Sequence, residues 1–389
     1  VDHLVGRVRA AQDQEAPVVE QGRGVHRARR GEPGADGKSA AVIGGLETTA
    51  VTTTVVQSVE LYNPATQSFD FFPNGLAAPR TVHTATLLDD GRFLVLGGTN
   101  AADQVVNTGE IFDPATGTST PIAPMSTQRT QHTATKLNDG RVLIVGGVSN
   151  FDLNDPLSAL GSAIASSEIY NPTTNSWSSG PNLPDPTFGH TATLLPSGNV
   201  LIAGGVRVAS LFGVPVPSIS DTCRRYVAGS NSYSNVPNIP GPRVYHGAAA
   251  LNDGRALVFG GADGNLITLT FTALSSSFTY SEGSNSWTPV GSLGVARGYV
   301  EAATTASGSV LAAGGLATVD VASGTGLPAV TIERFDPSTG QWTPAATQLS
   351  VRNIPRAVAV DNGQRLLIVG GADQVGTSSL SPAAELFID

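Results

Sequence analysis

The chain has a single cysteine, Cys223, in 389 residues. One cysteine can form neither an intrachain disulfide nor a cysteine-rich zinc site. Charged residues make up only 14% of the chain, gather in no long basic run and leave a net charge of -9, which argues against nucleic acid or an anionic membrane as the main partner. No stretch approaches the roughly 18 consecutive apolar residues of a membrane helix, so no membrane insertion is expected. The opening "VDHLVGRVRAAQ" lacks the apolar segment of a signal peptide and begins at Val1; the expectation is of a leader already removed. There is no P-loop, no G-x-S-x-G, no zinc motif and no complete calcium loop, so neither a metal nor a cofactor is expected.

What the chain has in quantity is glycine, proline and self-similarity. With Gly 45 and Pro 25, it reads as many short strands joined by tight turns. "HTATLLDDGRFLVLGG" at 83–98 returns as "HTATKLNDGRVLIVGG" at 132–147 and "HTATLLPSGNVLIAGG" at 190–205. Glycine pairs end such runs at 44–45, 97–98, 146–147, 204–205, 260–261, 314–315 and 370–371, about 49 to 58 residues apart. A period of that size decides the architecture, and it gives about seven units.

Each unit has the same parts. An alternating segment predicts a strand with one buried face. A pair such as Asp90-Gly91 or Asp139-Gly140 supplies the turn of a hairpin. An apolar strand covered on both faces follows, and its closing glycines admit a neighbouring backbone. After a variable loop come a third strand ending in an aromatic and a second bulky residue about seven positions on, as in Tyr62/Phe69, Tyr170/Trp177, Tyr226/Tyr233, Tyr280/Trp287 and Phe335/Trp342. Four strands per unit predict an all-β fold of four-stranded antiparallel blades.

The double glycine followed by separated Tyr and Trp, seven times in tandem, resembles kelch repeats. The resemblance covers residues 13–389 and implies a seven-bladed kelch-type β-propeller like the central domain of galactose oxidase-type proteins. The last unit ends at "AAELFID" without a fourth strand. Residues 13–22, aligned with 287–296, are expected to supply it as the outer strand of the last blade, leaving 1–12 as an N-terminal tail; donation of that strand to a neighbouring subunit is the open variant.

Two ladders run through the repeats. His26, His83, His132, His190 and His246 share one position, and recurrence in unit after unit marks scaffold, with each imidazole tying one blade to the next. Arg23, Arg80, Arg129, Arg243 and Arg297 lie three residues earlier, while Glu60, Glu110, Glu168, Glu333 and Glu385 stand two before the third-strand aromatic. These suggest Arg–Glu pairs within or between blades, or arginines at the channel mouth that bind a carboxylate or phosphate. The unit beginning at Phe188 has no such Arg and carries Arg224 in the Glu position. Ligand-binding candidates are therefore Arg80, Arg129, Arg243, Arg297, Tyr245 and His246; no residue is nominated as catalytic.

Tyr245-His246 resembles the adjacent Tyr-His copper ligands of galactose oxidase-like copper radical oxidases. The chain departs from that pattern, since no His follows His246 and Cys223 falls on a third strand. Insertions at 148–165 and 206–220 carry apolar residues and belong to adjacent units, so they form either a partner-binding patch or a lid packed on itself. The leading expectation is a non-catalytic binding or assembly module engaging a protein partner, itself or a glycan. Its repeats resemble those of secreted bacterial kelch proteins, which implies an extracellular or cell-surface location. The alternative is an enzyme acting on acidic sugars at the channel mouth, as the kelch-type sialate mutarotases do, with copper oxidation a remote third.

Overall fold

Short alternating and apolar runs separated by glycine turns can bury their faces only by stacking sheet on sheet, and the computed structural model shows them doing so. It describes residues 53–348 apart from 153–155, 213, 267 and 321–324, together with 356–369, 385–388 and, near the N-terminus, 6–7, 24–26, 30–33 and 40–48. Blade 1 is built from Arg30–Pro33, Ala40–Thr48, Thr53–Asn63 and Ser68–Phe72, with Gly24–His26 paired to the far end of the second strand. Blade 2 runs Thr84–Leu87, Phe93–Leu96, Gly109–Asp113 and Thr118–Pro121; blade 3 runs Thr133–Lys136, Val142–Val145, Ser167–Asn171 and Ser176–Ser179. Blade 4 has Thr191–Leu194, Val200–Ala203, Cys223–Val227 and Ser232–Asn235, and blade 5 has Gly247–Ala250, Ala256–Phe259, Ser277–Ser281 and Ser286–Val290. Blade 6 has Glu301–Thr304, Val310–Ala313, Thr331–Asp336 and Gln341–Thr347.

Blade 7 pairs Arg356–Val360, Arg365–Val369 and Glu385–Ile388, and its outer position is filled from the N-terminus by Gly6–Arg7, with Gly6 opposite Leu386. That strand lies inside the segment read from sequence as a tail. The expected donor, 13–22, lies outside the described residues. Each inner strand lies against the inner strands of its two neighbours, and Arg356–Val360 of blade 7 meets Arg30–Pro33 of blade 1. The sheets thus form a closed ring, a seven-bladed kelch-type β-propeller.

The core is a set of blade-to-blade layers rather than one central mass. Ala41, Ile43 and Val59 of blade 1 pack on Ala85, Phe93, Val95 and Phe112 of blade 2, and each successive pair repeats the arrangement. Between blades 7 and 1, Val358, Val360, Leu367 and Leu386 pack on Ala40, Val42 and Tyr62. With about 1.5–3 kcal/mol for each large apolar side chain buried, this last layer is a substantial part of what closes the ring.

The double glycine is the docking point of the next blade. Gly98 N–H donates to the Arg129 carbonyl (3.0 Å), and a Cβ on Gly97 would sit 2.3 Å from that same oxygen. Both glycines have positive φ (62° and 87°), the conformation that brings the two backbones together.

Connections from second to third strand, and from each outer strand to the next inner strand, lie at the same end of the ring. At that end the segments that sequence treated as loops contain strands. Val206–Leu211 and Val214–Ile219 form a hairpin that adds to Thr187–Phe188, and Ala262–Asn265, Thr270–Ala273, Leu316–Asp320 and Thr325–Pro328 make a second small sheet.

Candidate functional site

The histidine ladder ties blades together as expected. His132 Nε2 shares a hydrogen bond with Thr84 Oγ1 (2.9 Å), His190 Nε2 with Thr133 Oγ1 (3.0 Å) and His246 Nε2 with Thr191 Oγ1 (2.8 Å). In each case the imidazole reaches the inner strand of the preceding blade. Burial disfavours the imidazolium, so His190 titrates down at about 4, and His246, which also feels the charge of Arg243, lies well below the ordinary range.

The arginine ladder works within each blade. Arg129 Nη1 donates to the carbonyls of Gly146 (3.0 Å) and Ser166 (3.1 Å), and its Nη2 donates to Ser166 Oγ (3.1 Å) and Glu168 Oε1 (2.7 Å). Glu168 Oε2 accepts from the Ser126 backbone N–H (2.8 Å), so the carboxylate also fixes the incoming connection. Arg80 with Glu110, and Arg297 with Glu333, repeat the arrangement. In blade 5 Phe278 stands in the Glu position, and the Arg243 guanidinium lies 5.0 Å from its ring centroid. Without that carboxylate, desolvation pulls Arg243 down to about 10.

Arg80, Arg129, Arg243 and Arg297 are at most 2% exposed. The structure places these four guanidiniums inside the blades, on backbone carbonyls, and not at the channel mouth. His246 is likewise buried in the inter-blade layer.

Tyr245 is different. Its ring stacks on Tyr299 of the next blade (centroids 4.1 Å apart, planes at 17°), and its hydroxyl donates to Gln131 Oε1 (2.5 Å), two blades back. Val82, Gln131, Gly189, Tyr245 and Tyr299 occupy the same repeat position, just before the inner-strand His or its replacement Val300, and all have positive φ. Gly189 is what allows the reach, because a Cβ there would lie 3.1 Å from Tyr245 Cε1. The sequence reading singled out Tyr245 but missed Gln131 and Tyr299; their shared place one residue before the ladder position was the available signal.

Above this aromatic pair the two insertions pack on one another. Val148 and Ala159 of the first, and Val206 and Val208 of the second, share a small apolar cluster with Phe188 and Val244. The hairpin tip stays in solvent: Phe212 is 99% exposed, with Leu211 and Val214 more than half exposed. The insertions are therefore packed on themselves at the base and open at the tip.

The kelch motif matches residues 80–126 and 137–184, within blades 2 and 3 and their connections. Comparison with curated proteins gives no match. Among solved structures, the chain is similar to a fungal alcohol oxidase of the AA5 family in complex with copper, at 16% identity and a TM-score of 0.72, over 94% of this chain and 75% of that one. At that identity the likeness is one of fold.

The donors here do not fit a copper ion. His246 is buried with its Nε2 engaged by Thr191, and the Tyr245 hydroxyl is engaged by Gln131. Cys223 lies in the layer between blades 4 and 5, where burial pushes its thiol up to about 12. Among the described residues no three His, Cys, Asp or Glu side chains converge.

Proposed function

We propose that this propeller is a non-catalytic binding module that engages a protein partner at the loop-bearing end of the ring. The observation that carries the reading is the 206–219 hairpin, whose tip presents Leu211, Phe212 and Val214 to water on a rigid base. Exposed apolar side chains grouped on one projecting element mark contact surfaces more often than they serve the fold. The ladder residues support it from the other side, since their polar groups are engaged in joining and bracing blades. The exported location follows as part of the same proposal.

A photo-reactive residue at position 212 tests it, with the exposed Thr118 on the outer strand of blade 2 as control site. The expected result is a discrete cross-linked species from 212 alone, competed by unlabelled protein but not by a Leu211→Ser/Phe212→Ser variant. Equal labelling from both sites would overturn the reading.

A second reading is favoured by the Tyr245–Tyr299 stack beside Gln131, which offers a ring face and an amide to a glycan at the channel mouth. Turnover of an acidic sugar there calls for cations, and Arg80, Arg129, Arg243 and Arg297 are buried away from it. A Tyr299→Ala variant that lost binding to a neutral oligosaccharide would support the glycan reading; binding unchanged by it would remove it.

A further inference from the structure

Blade 4 breaks the arginine ladder at both ends of the pair, and a cavity opens at the break. Thr187 occupies the place of the ladder arginine, as its carbonyl shows by accepting from Gly147 N–H (2.9 Å) just as the Arg129 carbonyl accepts from Gly98. Thr222 occupies the place of Thr108, Ser166, Ser276 and Thr331, the residues that receive the guanidinium in blades 2, 3, 5 and 6. Arg224 stands where Glu110, Glu168 and Glu333 stand. The cavity, about 20 Å³, has Thr187, Gly204, Thr222, Arg224, Arg207 and the carboxylate-bearing Asp185 in its lining, so it lies at the cradle of the missing guanidinium.

Its charge is the inverse of what its sisters hold. Where blades 2, 3 and 6 close a buried cation on a carboxylate, blade 4 has a cation on the carboxylate's side and Thr187 in the arginine's place. Arg224 Nη1 donates to the Cys223 carbonyl (2.8 Å), while its Nε, like those of Arg80, Arg129 and Arg243, is buried without a hydrogen-bond partner among the described residues. Arg207 brings a second guanidinium to the rim and is paired with Asp185 (3.1 Å), which leaves the cavity with one positive charge in excess. A buried donor on a charged group without a partner is costly, and an anion accepting from it is the direct remedy.

We propose that this cavity is a binding site for a single carboxylate, accepting from Arg224 Nε and the Thr222 hydroxyl. Charge and donors select the class: one positive charge in excess, with Arg224 Nε and the Thr222 hydroxyl as donors, matches the single charge and two oxygens of a carboxylate. The carboxylate is either that of a small free acid or an acidic side chain of a partner. The site stands on the repeat geometry and does not depend on the hairpin reading.

The test is the melting temperature of the full chain titrated with formate, at constant ionic strength held with chloride, and with phosphate as the comparison anion. Formate is expected to give a saturable rise that phosphate does not. Arg224→Gln is expected to weaken the formate midpoint by about tenfold or more, the equivalent of one charge-assisted hydrogen bond. The double variant Thr187→Arg/Arg224→Glu rebuilds the pair of the sister blades; it should melt higher than the starting protein and show no formate response. A capped peptide with one aspartate separates the sources, binding more tightly than formate if a partner's side chain is the occupant and no more tightly if a free acid is. No formate response in the starting protein, or a response undiminished in Arg224→Gln, would overturn the proposal.

Discussion

Replacing Arg129 by methionine keeps most of its volume and removes its charge. In the folded protein the guanidinium holds two carbonyls, the Ser166 hydroxyl and the Glu168 carboxylate, and it is fully buried. Arg129→Met therefore leaves Glu168 buried, with the Ser126 N–H as its remaining partner, a loss of the kind that costs about 3–5 kcal/mol. Glu168→Gln orphans the guanidinium instead, though the carbonyls of Gly146 and Ser166 still receive Nη1, so its cost is smaller. The double variant leaves no unmatched charge and should be less destabilised than the sum of the two, by at least about 1 kcal/mol. Arg243→Met is the internal control: blade 5 has Phe278 where a carboxylate would be orphaned, so the loss should be limited to about 1–3 kcal/mol for the carbonyls of Gly260 and Ser276. Urea unfolding at neutral pH measures all four. A loss below about 1 kcal/mol in Arg129→Met, or strict additivity in the cycle, would refute the view that the pair braces the blade.

Acid should weaken the histidine ladder. His190 titrates at about 4 when folded against an ordinary 6.5, so its contribution is complete above pH 6.5 and is lost as pH falls, by about 3 kcal/mol at pH 4. Urea unfolding between pH 7 and 4 should show that slope, and His190→Gln should flatten it; an unchanged slope would mean other groups carry it. At the blade junction, a Cβ on Gly97 would meet the carbonyl oxygen of Arg129 in the next blade at 2.3 Å with φ at +62°, so Gly97→Ala should cost at least about 1–3 kcal/mol. Gly229, with nothing within 4 Å of an added Cβ, should accept alanine within about 0.5 kcal/mol. Equal melting temperatures for the two variants would contradict the docking role of the double glycine.

The blades were legible because their signals are local and recur. A turn pair, an apolar strand and a double glycine each state a backbone requirement, and repetition removes the ambiguity of any one copy. The histidines' role was legible for the same reason. The direction of the arginines was not: a ladder three residues before an inner strand is compatible with channel or blade interior, and only the third-strand carboxylates and carbonyls decide it. The pairing of Gly6–Arg7 on Leu386 and Glu385 was not legible because two residues carry no hydrophobic period to read. The Tyr245–Gln131 contact spans two blades and depends on the absence of a side chain at Gly189, a relation with no expression along the chain. In blade 4 the missing Arg and the displaced Arg224 were visible as exceptions in sequence, while the cavity they leave arises only where the fold brings Thr187, Thr222 and Arg224 together.

On this reading, recurring polar residues build the ring and ligands meet the residues which do not recur. Melting temperatures of the unaltered protein and Arg243→Ala, each with and without copper(II) and glucuronate, test it most directly. The expected result is a lower baseline for the variant and the same ligand response, large or nil, in both proteins. A response present in the unaltered protein and lost in Arg243→Ala would put that guanidinium in a binding site and contradict the claim.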